Sequence, residues 1–270
     1  MAVHSLVTLL TDFGVAGPYV GAMKGALLRA APKATIVDLS HDIPPQDVLT
    51  GALVLHQASI HFPPGTLHVA VVDPGVGTER KILAAQLGGQ TYLAPDNGLL
   101  SLVVQHLPME QLVAVRNPQY LPGNGITATF HGRDVFAPVA GHILNGVSLS
   151  RLGPVPQTFK SLELAGPADQ EGQLVGQVIY VDRFGNLVSN ISREHLQKRW
   201  RDLTRLHVLL GGRDVGHLQG TYGFIPAGQA LALVNSMDLV EVAVSHGSAA
   251  QTLAQGIGGA VRILEHHGDR

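Results

Sequence analysis

The sequence predicts an α/β fold in its first half, a parallel sheet with helices on its faces, followed by an antiparallel sheet or small barrel. Three observations carry this. Short apolar, β-branched runs alternate with helical-period stretches up to about residue 145. An irregular segment follows from Pro154 to Gln173, with Pro154, Pro156, Gly166, Pro167 and Gly172. Beyond it, short alternating runs are separated by Gly, Asn, Asp and Pro turns, which suits antiparallel strands better than βαβ units. The expected division is a domain over 1–155, a linker over 156–172 and a second domain over 173–270.

Ser5 to Leu10 (SLVTLL) ends abruptly at Thr11-Asp12-Phe13-Gly14, as a buried parallel strand ends in a loop. From Tyr19 to Ala31 the residues Val20, Met23, Ala26, Leu27 and Ala30 fall at helical spacing until Pro32 stops them. Ala34 to Leu39 reads as a strand, Val48 to Ala58 as a helix, and Thr66 to Val72 as a strand running into Asp73-Pro74-Gly75. Ile82 to Gln86 and Gln90 to Ala94 read as further strands, Leu99 to Gln105 and Arg133 to Asn145 as helices. In the second half, strands are expected at Leu174–Val181, Asn186–Ile191, Arg205–Leu210, Ala230–Asn235 and Leu239–Val244.

Composition excludes several classes. The 270 residues contain no cysteine, so a disulfide framework, thiolate metal sites and a thiol nucleophile are ruled out. Lys+Arg 18 against Asp+Glu 20 gives a net charge of −2, with no basic excess for nucleic acid or an anionic membrane. The N-terminal run lacks a basic region and a cleavage site, and Asp12 interrupts it, so no signal peptide is read. No apolar stretch approaches the ~18 residues of a membrane span. A soluble, cytoplasmic protein is the expectation.

Ligands bind outside the carboxyl ends of parallel strands, where loops vary without disturbing the core. Three polar clusters occupy such positions: Thr11-Asp12, Asp73-Pro74-Gly75-Val76-Gly77 and Pro95-Asp96-Asn97-Gly98. Each alone is explained by turn chemistry, but three at one sheet edge argue for a site. Gly75-Val76-Gly77 lacks the third glycine of a dinucleotide fingerprint and is a weak phosphate cradle. Phe130-His131-Gly132-Arg133-Asp134 sets an imidazole ahead of a helix start, where Asp134 also suits the helix dipole. Asp182-Arg183-Phe184-Gly185-Asn186 and Asn235-Ser236-Met237-Asp238 read first as turns and second as polar recognition loops.

Taken in order, TLLTDFG (8–14), DPGVG (73–77) with Arg80, APDNGLL (94–100), FHGRD (130–134), DRFGNLVSNI (182–191) and Asn235-Ser236 closely resemble one family. It is the S-adenosyl-L-methionine hydroxide adenosyltransferases, relatives of the fluorinase and chlorinase enzymes that attack the same molecule with halide. The resemblance covers nearly the whole chain. It implies a Rossmann-like N-terminal domain and a C-terminal antiparallel β-barrel-like domain. It also implies a homotrimer, with the substrate between one subunit's N-terminal domain and its neighbour's C-terminal domain. The implied reaction cleaves S-adenosylmethionine, as the (R)-sulfonium diastereomer, with water or hydroxide at ribose C5′, giving adenosine and L-methionine without metal or cofactor.

Carried over by position, the resemblance makes Asp73, Arg80 and His131 the group that holds the attacking water, a set the halogenases lack. Asp12 binds the ribose hydroxyls, and Asp182 pairs with the methionine ammonium. Asn186 reads adenine, Tyr222 stacks on it, and Ser236 meets the methionine carboxylate, with Glu241 and Val244 as further contacts. Where the halogenases carry an Arg after that serine, this chain has Met237, which weakens the expected hold on the carboxylate. Of 14 histidines only His131 receives a chemical role; His41, His68, His142, His266 and His267 are expected to be packing, capping or surface residues. Two rival readings are a calcium-dependent nucleoside hydrolase, with Asp12, Asp73 and Asp96 as oxygen ligands, and a non-catalytic adenosylmethionine or adenosine sensor.

Overall fold

The computed structural model describes residues 5–121, 123, 127–163, 165–223 and 225–265; His266 and His267 lie outside them. The chain separates into two compact units, Met1–Leu162 and Glu163–Arg270.

In the first unit β1 (Leu6–Thr11), α1 (Tyr19–Ala30), β2 (Thr35–Ser40), α2 (Val48–Ser59) and β3 (Leu67–Val71) follow one another as strand, helix, strand, helix, strand. Then come β4 (Ile82–Leu87), β5 (Gln90–Pro95), α3 (Ser101–His106), β6 (Met109–Ala114), α4 (Ala137–Leu144) and α5 (Leu149–Leu152). The sheet order is β2-β1-β3-β5-β4-β6. Every residue of β3 is buried, because the sheet is covered on both faces. Leu9, Val69 and Leu93 of the sheet pack with Met23 and Leu27 of α1 and with Phe136, Val139 and Ala140 around α4.

One strand departs from the parallel sheet expected from sequence. β1, β2, β3 and β5 pair in parallel, but β4 is antiparallel to both β5 and β6. The cause is local. Gly88 and Gly89, at φ 56 and 75, form a two-residue hairpin turn, and left-handed backbone at both central positions matches the twist of the flanking strands. Because β4 is reversed, the chain leaving β3 re-enters the sheet at the edge it has just left. Residues 72–81 therefore stay at the carboxyl edge, with Asp73 and Arg80 at the two ends of one loop.

The second unit holds β7 (Ala168–Gln170), β8 (Gln173–Val181), β9 (Leu187–Ser192), α6 (Arg193–Arg199), β10 (Leu206–Leu210), β11 (Arg213–Gln219), β12 (Ala230–Val234), β13 (Leu239–Val244), α7 (Ala249–Leu253) and β14 (Ala260–Glu265). Strands run in the order β14-β10-β11-β12-β13-β9-β8, and β8 pairs back to β14, closing a seven-strand barrel with β7 added outside. All pairings are antiparallel except β11 with β12. The interior is filled by alternate residues such as Leu206, Val208 and Leu210, with Val178, Leu187, Val240, Val242, Val261 and Ile263. Closure removes the free edges that an open sheet would expose. Among the described residues no helix is long and apolar enough to cross a membrane.

Candidate active site

In the first unit the loop between β3 and β4 is drawn shut by its own ends. Arg80 Nε donates to Asp73 Oδ1 and Oδ2 at 2.8 Å each, and Nη2 donates to Oδ2 at 2.5 Å. Both side chains are nearly enclosed, 8% and 4% exposed, so this ion pair is shielded from bulk water. Gly77 makes the loop possible: at φ +80 its missing Cβ would lie 2.4 Å from the carbonyl oxygen of Ala128. Phe136 lies under the guanidinium, 5.7 Å from ring centre to Cζ.

His131 enters from the other side. It precedes a π-helical turn, Gly132–Phe136, that runs directly into α4. Asp134 in that turn accepts from the Thr127 amide at 2.9 Å and its hydroxyl at 2.6 Å, tying down the approach to His131. Hydrogen bonds from Arg133, with those from Thr127, hold the Asp134 carboxyl well below the usual carboxylate range. His131 Nδ1 lies 2.9 Å from Arg80 Nη2. A guanidinium can only donate, so Nδ1 accepts and the ring proton resides on Nε2. Burial, and then the Arg80 charge, lower the His131 pKa from its ordinary 6.5 against the opposing pull of Asp73 and Asp134, which keeps the ring neutral.

Asp12, Asp73, Val76, Thr129 and His131 line a cavity of about 60 Å³. That is room for roughly two water molecules. Asp12 Oδ2 accepts from the Gln46 amide at 2.8 Å. Beside it Phe13, Tyr19 and Phe130 meet edge to face. The third edge cluster has another task. Asp96 accepts from the Lys160 amide at 2.7 Å and lies 3.7 Å from Lys81 Nζ, while Asn97 Nδ2 donates to the Val72 carbonyl at 2.7 Å. It fastens the 158–162 segment and the end of β3.

The second unit carries a groove of about 890 Å³ lined by Asp182, Asn186, Tyr222, Ser236, Glu241 and Val244 among others, with no Lys or Arg among the described lining residues. Asp182 Oδ1 accepts from the Phe184 and Asn186 amides, both at 2.8 Å, and Oδ2 from the Asn186 side chain at 2.9 Å. Glu241 on β13 is 3% exposed. Its Oε1 accepts from the Tyr222 hydroxyl at 2.6 Å and its Oε2 from Asn235 Nδ2 at 2.9 Å. Burial, and then Glu241 itself, push the Tyr222 pKa up, so this hydroxyl stays a donor.

The ten residues given a binding or chemical role by the resemblance thus fall in two clusters, Asp12, Asp73, Arg80 and His131 in the first unit and the other six in the second, while Asp96 lies in neither. Sequence reasoning missed Gln46, which acts through its amide and leaves no side-chain signature, and read Asn235 within a turn or polar recognition loop without assigning it the contact with Glu241. Among the described residues no group of three His, Asp or Glu is placed to hold a metal.

An α/β unit with a polar cluster at its carboxyl edge, joined in sequence to a closed β-barrel with an acidic groove, defines a class of two-part small-molecule proteins. Family models for the SAM hydroxide adenosyltransferase N-terminal domain and C-terminal domain match residues 7–153 and 176–262. The chain belongs to the SAM hydroxide adenosyltransferase family. It is 40% identical over 266 residues to the (R)-S-adenosyl-L-methionine hydrolase of Thermus thermophilus, covering 96% of this chain and 99% of that one. It is 38% identical to the protein of the same name from Salinispora arenicola, covering 97% and 99%. The crystal structure of an uncharacterized conserved protein from Thermotoga maritima superposes with a TM-score of 0.88 at 33% identity, covering 96% of this chain and 100% of that one.

Proposed function

We propose that this protein hydrolyses S-adenosyl-L-methionine, as the (R)-sulfonium diastereomer, at ribose C5′ to give adenosine and L-methionine. The observation that carries this reading is the guanidinium shared between Asp73 and His131 beside a water-sized cavity. A water there donates one hydrogen to Asp73 and accepts from His131 Nε2–H, leaving a lone pair for C5′. Attack opposite the sulfur forms the C5′–O bond and breaks C5′–S, whose electron pair returns to sulfur as the methionine thioether. The released proton passes through Asp73 to solvent. Sulfonium is a good leaving group, so the rate comes from orientation and preorganised charge, and the reaction needs neither metal nor cofactor.

In the same reading Asp12 accepts from the ribose hydroxyls, Asp182 meets the ammonium, and Ser236 the carboxylate. Asn186 and the Val244 backbone read adenine, and Tyr222 stacks on it. The groove's two carboxylates, unaccompanied by any described Lys or Arg, favour a ligand carrying positive charge, as sulfonium and ammonium do. The two sets of residues meet across subunits of a cytoplasmic homotrimer. The nucleoside hydrolase reading is disfavoured by the donors themselves: Asp73 is neutralised by Arg80, and Asp96 is engaged by Lys160 and Lys81. Purified protein given each sulfonium diastereomer in the presence of EDTA is expected to release adenosine and methionine from one of them. Release of adenine, or no product from either, overturns the reading.

A further inference from the structure

The loop that carries Asp12 is braced from behind by a residue to which the sequence gives no chemical role, only packing, capping or surface. His41, directly after β2, is 5% exposed and lies beside fully buried Thr11. Its Nδ1 is 2.8 Å from Thr11 Oγ1, and its carbonyl accepts from the Gly14 amide at 2.8 Å. Its Nε2 is 3.1 Å from Asp38 Oδ1, and the other oxygen of Asp38 pairs with Lys24 Nζ at 2.6 Å.

The direction of this chain follows from its donors. Nε2 lies at ion-pair distance from Asp38 without an aligned hydrogen bond; the neighbouring carboxylate favours the ring proton on Nε2, which leaves Nδ1 to accept from the Thr11 hydroxyl. Thr11 Oγ1, having given its hydrogen to His41, accepts from the Phe13 amide at 3.3 Å. His41 therefore holds the Thr11–Gly14 loop on both sides of Asp12, with its ring at Thr11 and its backbone carbonyl at Gly14. The connection that begins with His41 ends at Gln46, whose amide holds Asp12 Oδ2 from a left-handed backbone at φ 66. A non-glycine residue in that conformation is strained and persists only where its surroundings fix it.

We propose that His41 is a positioning residue for ribose recognition, orienting the Asp12 carboxylate through Thr11 and the 11–14 backbone. This rests on the ribose-binding role given to Asp12 above. The buried ring lies between two polar neighbours, the Thr11 hydroxyl and the Asp38 carboxylate.

The test compares adenosine with 2′,3′-dideoxyadenosine, which lacks the groups Asp12 would bind. Calorimetry on full-length wild type, Thr11→Val, His41→Gln, Asp12→Asn and the His41→Gln/Asp12→Asn pair is expected to show adenosine Kd rising roughly 10-fold in each single variant, as for other residues that orient a ligand-binding side chain. Dideoxyadenosine Kd should be unchanged, and the double variant should be no weaker than Asp12→Asn alone. A purely structural defect lowers both affinities together. An equal loss for the two ligands, no loss for adenosine, or additive penalties overturn the proposal. Thr11→Val, which preserves shape, decides the matter if His41→Gln does not fold. A wild type that does not prefer adenosine over its dideoxy analogue removes the role of Asp12 and this inference with it, while turnover of the sulfonium substrate tests the wider reading separately.

Discussion

Asp73 in the first unit and Glu241 in the second are both nearly enclosed carboxylates, yet their partners differ in kind. Asp73 is met by a guanidinium on both oxygens, whereas Glu241 is met only by neutral donors, the Tyr222 hydroxyl and the Asn235 amide. A buried charge without a counter-charge is expensive. The first cluster has settled that expense internally and is left with a fixed acceptor and a neutral imidazole, suited to aligning a small neutral molecule. The second keeps an uncompensated charge, suited to a cationic ligand that completes it. The proposed reaction needs one of each, an oriented water and a held sulfonium.

The comparison breaks most visibly at Asp73. Asp73→Asn preserves shape and is expected to lower kcat by about 10²–10³-fold, the range for one preorganised group at a reacting centre, with adenosine binding intact by calorimetry. Unchanged turnover would remove Asp73 from the chemistry. Glu241→Gln should act on the other side of the contrast. It is expected to raise KM roughly 10-fold, in keeping with loss of a charged hydrogen-bonding partner, while binding of the neutral thioether product analogue changes little. Equal losses for the cation and the neutral analogue would show that the groove does not select charge.

The smallest effect concerns the imidazole. Since His131 titrates below its ordinary 6.5, it is neutral above that pH and gains a proton, with loss of activity, only as pH falls through its lowered midpoint. Removing the Arg80 charge in Arg80→Met should move that midpoint upward, read by NMR of the ring. A midpoint that stays put or falls would mean that Arg80 does not set the state of His131.

Much of the first unit was legible because strands buried on both faces read as unbroken apolar runs. What escaped was β6 (Met109–Ala114) and the direction of β4. Nothing in Ile82–Leu87 says which way the strand runs, although Gly88-Gly89 carried the hairpin signal that reverses it. The reversal matters for the site, since without it Asp73 and Arg80 would leave the sheet at opposite edges. In the second unit β11 (RDVGHLQ) and β14 (AVRILE) went unread, the first because it is mostly polar and half exposed. Both are needed to close the barrel, so the closure itself was not visible in the sequence pattern. The motifs named the side chains of both clusters, but not the Gln46 amide or the bracing imidazole of His41, whose roles depend on where the backbone goes.

The π turn ahead of α4 has an ancestry-like consequence. Such a turn spans one residue more than an α-helical turn, as if an insertion had been absorbed without disturbing the helix behind it. Delete one residue from Gly132–Phe136 and α4 keeps its packing, but everything before it rotates by about 100° around the helix axis. His131 is then expected to turn away from Arg80, breaking the contact on which the proposed alignment of water rests.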